Sequence, residues 1–255
     1  MINIENVTKN YIDPLRGALK VLGGVSLKVG DNEFVSLVGP SGCGKTTLLN
    51  IMAGFDHPTS GTVSIDGQVV RKPSPRRITI FQNYGLLPWR TVRKNVELGL
   101  EQHGLSYKER ADKADYYLSM VGLSDFAGHH PSQLSGGMQQ RVAIARALAV
   151  EPEIIFMDEP FSALDTMTRN AMQQELLEIR KRLKTTVVFV THDIDEAIFL
   201  SDRVIVLTQR PGIIQAEVNV YMPHQRDRNS AEFLSLREAV LVAFEPWKKK
   251  PEYLI

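Results

Sequence analysis

Gly39-Pro40-Ser41-Gly42-Cys43-Gly44-Lys45-Thr46 is the stretch on which the fold turns. It fits the pattern G-x-x-x-x-G-K-[ST] at every position. The short apolar run Phe34–Val38 precedes it, and Leu48, Leu49 and Met52 follow at helical spacing until Gly54. Strand, glycine loop, helix is the setting in which such an octet binds phosphate. Glycines let the backbone curl around an anion and aim N–H groups at it, at a helix end whose dipole favours negative charge. Gly39, Pro40, Ser41, Gly42, Cys43, Gly44, Lys45, Thr46 and the following Thr47 are therefore the candidate nucleotide contacts. Lys45 is expected to reach the β- and γ-phosphates, and the Thr46 hydroxyl to ligate Mg²⁺.

Working outward, alternating apolar residues at 2–7 and 21–29 predict an N-terminal antiparallel β part. A turn at Pro58-Thr59-Ser60-Gly61 leads to a strand at 62–65, and 78–81 reads as another. From about 83 to 149 the strand pattern stops and helical spacing takes over, at 108–121 and again at 137–148. Strands return at 154–157, Thr186–Val190 and Arg203–Leu207, with the helical pattern Thr166–Leu183 between the first two. Apolar strands alternating with helices predict an α/β fold with a largely parallel sheet. The expected organisation is one domain: a nucleotide-binding core of 1–82 and 151–214, an inserted helical lobe of 83–150, and a C-terminal extension of 215–255. A hairpin strand is expected at 213–220, then an amphipathic helix carrying Phe233, Leu236, Val240 and Phe244. Lys248-Lys249-Lys250 reads as a solvated tail.

The 255 residues are 43% hydrophobic and 23% charged, enough for a substantial core. Thirty basic against twenty-nine acidic residues leave a net charge of +1, which gives no bulk attraction for nucleic acid. The single cysteine, Cys43, excludes an intrachain disulfide and fits a reducing compartment. No stretch approaches the roughly 18–20 apolar residues of a membrane span. Met1-Ile2-Asn3-Ile4-Glu5 has no basic region leading into an apolar run, so no secretory leader is expected. Any pore must come from another chain.

The run at 154–157 ends in Asp158-Glu159-Pro160. A buried strand thus delivers two carboxylates to its C-terminal edge, where ligands sit in open α/β sheets. Asp158 suits the Mg²⁺ shell, and Glu159 is placed to polarise an attacking water as general base. Leu134-Ser135-Gly136-Gly137-Met138-Gln139-Gln140-Arg141 starts small and polar and runs into a strongly helical stretch. It is either a second anion cradle or an ordinary helix cap.

Here the chain resembles the ATP-binding-cassette ATPases over nearly its whole length. Leu134, Ser135, Gly136, Gly137 and Gln139 stand where that family's signature motif stands, which in the family serves ATP bound to a partner chain. The resemblance implies that Gln82 touches Mg²⁺ and the attacking water. It implies that Ser162-Ala163-Leu164-Asp165 is the loop crossing between two ATPase subunits, and that His192, in Thr191-His192-Asp193, contacts the γ-phosphate. It also makes Tyr11 the candidate for stacking on adenine. ATP and Mg²⁺ are the implied cofactors, with Glu159, His192 and Gln82 as the catalytic set.

The stretch Gln82-Asn83-Tyr84-Gly85-Leu86-Leu87-Pro88-Trp89 places apolar residues in a turn-rich segment. Tyr84, Leu86, Leu87 and Trp89 either pack the helical lobe or form a docking surface. This segment is similar to the subfamily that energises importers of nitrate, sulfonate and taurine. That similarity implies a membrane permease, a second ATPase subunit (identical or paralogous), a solute-binding protein acting indirectly, and a peripheral position on the cytoplasmic face of the cell membrane. Asn32 departs from the family, where glycine is more usual. A soluble cassette protein of translation or repair would carry two cassettes or a long coiled-coil insertion. A small-molecule kinase or GTPase would not need the signature octet.

Overall fold

The computed structural model describes residues 1–13, 17–81, 84–162, 164–223 and 226–248. In chain order the strands and α-helices are β1 (Ile2–Asp13), β2 (Gly17–Val29), β3 (Phe34–Val38), α1 (Lys45–Ala53), β4 (Ser60–Ile65), β5 (Gln68–Val69), β6 (Arg77–Ile80), α2 (Val92–Glu97), α3 (Tyr107–Met120), α4 (Gly136–Ala149), β7 (Ile154–Asp158), α5 (Thr166–Leu183), β8 (Thr186–Val190), α6 (Ile194–Leu200), β9 (Arg203–Leu207), β10 (Ile214–Asn219) and α7 (Ala231–Lys248). They form two compact units, residues 1–74 with 186–255, and residues 75–185.

In the first unit β3 is buried at all five positions. It lies between parallel β8 and β9, with Phe34 opposite Val187 and Val35 opposite Arg203. A strand covered on both faces has no solvent side, which is why it reads as one apolar run. Its single polar residue, Ser36, is fully buried and shares its hydroxyl hydrogen bond with Ser201. β10 pairs antiparallel with β9, Ile214 facing Leu207. A separate antiparallel sheet has the order β2-β1-β4-β5, and burial alternates along β2 from Val25 to Val29, the mark of a sheet with one wet face. α7 packs on α6, β9 and β10. Its Phe233 and Val240, two turns apart, are 1% and 0% exposed.

In the second unit β6 and β7 are parallel, Arg77 opposite Ile154 and Ile80 opposite Met157. α2, α3 and α4 pack together around Val96, Leu118 and Leu148, all fully buried. Each such side chain contributes about 1.5–3 kcal/mol relative to exposure. α3 opens with a capping box between Ser106 and Glu109, which satisfies two N–H groups that the helix itself cannot.

Candidate functional site

β3 ends at Val38 and the glycine loop carries the chain into α1. Gly44 is the N-cap of α1 at φ 104, and no side chain caps the helix. A Cβ at Gly44 would lie 2.7 Å from Leu22 Cδ2, so both the backbone conformation and the space require glycine. The other helices differ. α2 to α6 begin with Thr91, Ser106, Ser135, Asp165 and Asp193, each accepting a backbone N–H. α1 also has no acidic residue in its first turn. Unsatisfied N–H groups at the positive end of a helix dipole are what an anion binds.

Lys45 is 7% exposed, and its Nζ donates to Gly39 O at 2.7 Å and Pro40 O at 3.2 Å. The ammonium is therefore held at the loop rather than swinging in solvent. Thr46, next in line, is exposed. Cys43 is buried, and that burial pushes its thiol pKa up, which suits a small packing residue rather than a nucleophile. Arg210 steadies the loop from outside through Nε to Gly42 O at 3.1 Å.

Tyr11 stands on β1, 41% exposed. Its hydroxyl donates to Asp56 Oδ2 at 2.7 Å and is bonded to the Thr47 hydroxyl in the first turn of α1. Lys9 Nζ lies 4.8 Å from the Tyr11 ring centroid and 2.5 Å from Asp56 Oδ1. Burial and the Asp56 bond together raise the Tyr11 pKa, so the phenol stays protonated. Residues 14–16, next to this candidate adenine platform, lie outside the described residues.

After β8, Thr191-His192-Asp193 leads into α6. The Thr191 hydroxyl donates to Glu196 Oε2 at 2.5 Å and accepts from Asp193 N at 3.0 Å, while Asp193 Oδ1 accepts from Glu196 N at 3.1 Å. His192 itself is exposed. A cleft of about 450 Å³ is lined by Gly39, Pro40, Ser41, His192, Ile194, Gln209, Leu241 and Phe244. The first unit thus brings the predicted loop and the predicted switch histidine to one cavity.

In the second unit β7 delivers Asp158, 8% exposed. Glu159 follows at φ 47, a left-handed conformation that costs a non-glycine residue roughly 1–2 kcal/mol. Its carbonyl accepts from Ser162 N at 3.2 Å and the Ser162 hydroxyl at 2.9 Å, which closes the turn that holds the strain. Leu164 is buried. Asp165 caps α5, and hydrogen bonds from Thr168 and Met167 hold its carboxyl below the usual range. Gln82 and Ala163, two of the predicted positions, lie outside the described residues.

Ser135 caps α4, its Oγ accepting from Met138 N at 3.3 Å. The Gln139 amide donates to Pro131 O at 3.0 Å and Leu134 O at 3.2 Å, so it holds the backbone that leads into the motif. A Cβ on Gly136 would meet Tyr84 Oη at 3.0 Å, and one on Gly137 would meet Leu164 Cδ2 at 3.0 Å. The paired glycines let Tyr84 and Leu164 come close.

Tyr84 and Gly85 are fastened to α4 by Arg146, whose guanidinium donates to Gly85 O at 2.7 Å and Tyr84 O at 2.9 Å. Fully buried Asn95 pins the rest of the segment: its Oδ1 accepts from Leu87 N at 2.7 Å, and its Nδ2 donates to the carbonyls of Leu87, Arg90 and Thr91, each at 3.1 Å. Leu86 and Leu87 are half-buried, whereas Trp89 is 72% exposed. Sequence reasoning missed Arg146, Asn95 and Glu196. The signal for Arg146 was present, a lone charge inside the apolar helical run Ala143-Ile144-Ala145-Arg146-Ala147-Leu148.

A glycine loop between a parallel strand and an uncapped helix defines a phosphate-loop, nucleoside-triphosphate-binding α/β protein. A family model described as ABC transporter matches residues 22–162. An uncharacterised ABC transporter ATP-binding protein of Methanocaldococcus jannaschii is 54% identical over 94% of this chain and 90% of its own. The nitrate import ATP-binding protein NrtD of Synechocystis sp. is 50% identical over 82% of this chain and 78% of its own. An ATP-binding cassette solved as a dimer, in a post-hydrolysis state with ADP and Pi, is 38% identical, with a TM-score of 0.78 over 88% of this chain and 100% of that one. The chain belongs to the ABC transporter family, and as such it is an ATP-binding cassette and an ATP hydrolase. Among the described residues no helix is long and apolar enough to cross a membrane.

Proposed function

We propose that this cassette closes head to tail on a second ATPase subunit beneath a membrane permease, on the cytoplasmic face, and powers import of a small solute of the nitrate, sulfonate or taurine class. The observation that carries this reading is that α1 is left uncapped beside Lys45 while Ser135–Gly137 forms a second glycine-containing helix start in the other compact unit. One anion site per nucleotide is enough for binding, so the second is best used on a nucleotide held by a neighbour. The name of NrtD supports the solute class. A solute-binding protein would deliver that cargo outside. The exposed Trp89 on a loop fixed by Asn95 and Arg146 supports a permease contact, with Tyr84, Leu86 and Leu87 behind it.

Mg²⁺ fits the residues present. Among the described residues no group of three His, Cys, Asp or Glu makes a protein cage for a metal. Oxygen donors used singly together with substrate phosphates are the usual way Mg²⁺ is held. Thr46 and Asp158 are the donors proposed for it, with Gln82 as a third, and when bound it would neutralise charge on the phosphates. Lys45 and the loop N–H groups then bind and orient the triphosphate, Glu159 accepts the proton of the attacking water, and His192 fixes the γ-phosphate oxygens. The left-handed turn at Glu159 supports its role, since strain of this kind collects at functional positions.

The test is co-expression with the membrane subunits. The chain is expected to co-purify with them, and Trp89→Ala to weaken that association. In the assembled complex Glu159→Gln should keep ATP binding and lower turnover about 10³-fold. Hydrolysis at the normal rate in that variant rules out Glu159 as the base, and purification without any membrane partner removes the transport reading.

A further inference from the structure

We propose that the C-terminal helix α7 is a positioning element for the nucleotide site: its Arg237, Leu241 and Phe244 fix the α6 start that carries His192 and wall the cleft beside the phosphate loop. The proposal rests on the reading of the glycine loop and His192 given above, and it assigns a role to the C-terminal extension.

Three observations within the first unit converge on it. The first is register. Phe233 and Val240 fasten α7 to the core with exposures of 1% and 0%, and this fixes the rotation of the helix. Leu241 and Phe244, three apart and so on neighbouring faces, then lie in the cleft wall with Gly39, Pro40, Ser41, His192 and Ile194. Leu241 remains 41% exposed, so it is not there to fill the core.

The second observation is that α6 is held at both ends by the extension. Arg237 of α7 pairs with Asp195, in the first turn of α6, at 2.9 Å. At the other end Arg226, 6% exposed, donates to Ile198 O at 2.5 Å, Ser201 O at 2.7 Å and Phe199 O at 3.2 Å. These are carbonyls at the C-terminal end of α6 and its cap, the end where a cation is favoured by the helix dipole.

The third is the stiffness of the step from α6 back to His192. The Thr191 hydroxyl on Glu196 and the Asp193 cap on Glu196 N span the histidine on both sides. A shift of α6 must therefore carry His192 with it. Arg237, Leu241 and Phe244 act through this chain of contacts and through the cleft's shape; they are positioning residues.

The experiment uses the full chain. Leu241→Ala combined with Phe244→Ala, and Arg237→Ala separately, are compared with wild type in steady-state hydrolysis, equilibrium ATP binding and Tm. For the double variant a fall in kcat of roughly tenfold is expected, with ATP affinity within about twofold, because Lys45 and the loop are untouched. Phe244→Leu and Arg237→Lys should restore most of the rate. A kcat within about twofold of wild type in all of these variants overturns the proposal, as does a loss carried wholly by KM. If the double variant proves unstable, Leu241→Ala alone decides, since its exposed side chain contributes little to folding; a normal kcat there overturns the proposal. Lys45→Ala and His192→Ala run alongside. Normal activity in those two would sink the underlying site assignment, whereas activity lost in them but intact in the α7 variants sinks only the role of α7.

Discussion

α1 and α4 each begin at a glycine-containing loop, yet the two starts are built differently. The first has glycine at its cap and no side-chain cap; the second is capped by its own Ser135 hydroxyl. A helix end finished by its own sequence has an end N–H group satisfied from within the chain, whereas an unfinished one leaves those groups to water or a bound anion. On the proposed function, the contrast separates a site that holds its ligand by itself from a surface that is structurally complete and would meet its ligand only on assembly.

The largest expected effect breaks the contrast at α1. Lys45→Ala removes the ammonium held by the carbonyls of Gly39 and Pro40. ATP affinity should fall about 100-fold, a loss of about 2.7 kcal/mol, and the ATP-induced rise in Tm should vanish with it. The check is equilibrium binding of a fluorescent ATP analogue together with thermal melts. ATP binding of normal strength in Lys45→Ala would mean that the loop is not where the triphosphate sits.

A smaller effect is expected at α4. Ser135→Ala should cost the single chain about 1 kcal/mol from the lost cap, with ATP affinity unchanged if, as proposed, Ser135 serves only a nucleotide held by the partner chain. Hydrolysis by the assembled pair should fall by roughly tenfold or more. Melting curves, binding and turnover measured on one preparation separate the two roles. A drop in the single chain's ATP affinity would put Ser135 in the same site as Lys45 and erase the distinction between the two helix starts.

How much of this was legible in sequence follows from the range of the forces involved. β3 and α1 announce themselves because burial on both faces demands a continuous apolar run and a phosphate loop demands glycine at fixed offsets. Thr166–Leu183 and Arg203–Leu207 were equally plain. β1 was not: its pattern faded after Val7, yet the strand continues to Asp13. The polar stretch Thr8-Lys9-Asn10-Tyr11 is held by pairing with β2, Thr8 opposite Gly23 and Tyr11 opposite Leu19, and pairing leaves no periodic trace of burial. The same limit applies to the site. The octet at 39–46 is local and could be read. The left-handed turn at Glu159 is backbone geometry that no residue type encodes, and the Arg146 clamp on Tyr84 and Gly85 joins residues about sixty positions apart. The bonds of Asn95 are local, to Leu87, Arg90 and Thr91, but they belong to an irregular loop that has no periodic pattern to read.

The smallest prediction sharpens the α1 side. Lacking a cap, the helix is braced laterally: Thr47 to the Tyr11 hydroxyl, Tyr11 to Asp56, and Asp56 to Lys9. Burial alone would raise the Asp56 pKa, but hydrogen bonds from Lys9, Tyr11 and the His57 N–H outweigh it and hold the carboxyl below its ordinary range. A depressed folded-state pKa means that the unfolded chain binds the proton more readily. The stabilisation is therefore complete above the ordinary carboxylate pKa of about 3.9 and is lost as pH falls through the lower folded value. Because the pair is partly exposed, with side chains 12% and 27% accessible, screening limits its contribution to about 0.5 kcal/mol. The Tm gap between wild type and Asp56→Asn should be measurable at pH 7, begin to shrink as pH falls through about 3.9, and close only below the lower folded value. An equal gap at pH 7 and pH 3 would show that the Asp56 charge takes no part in bracing α1.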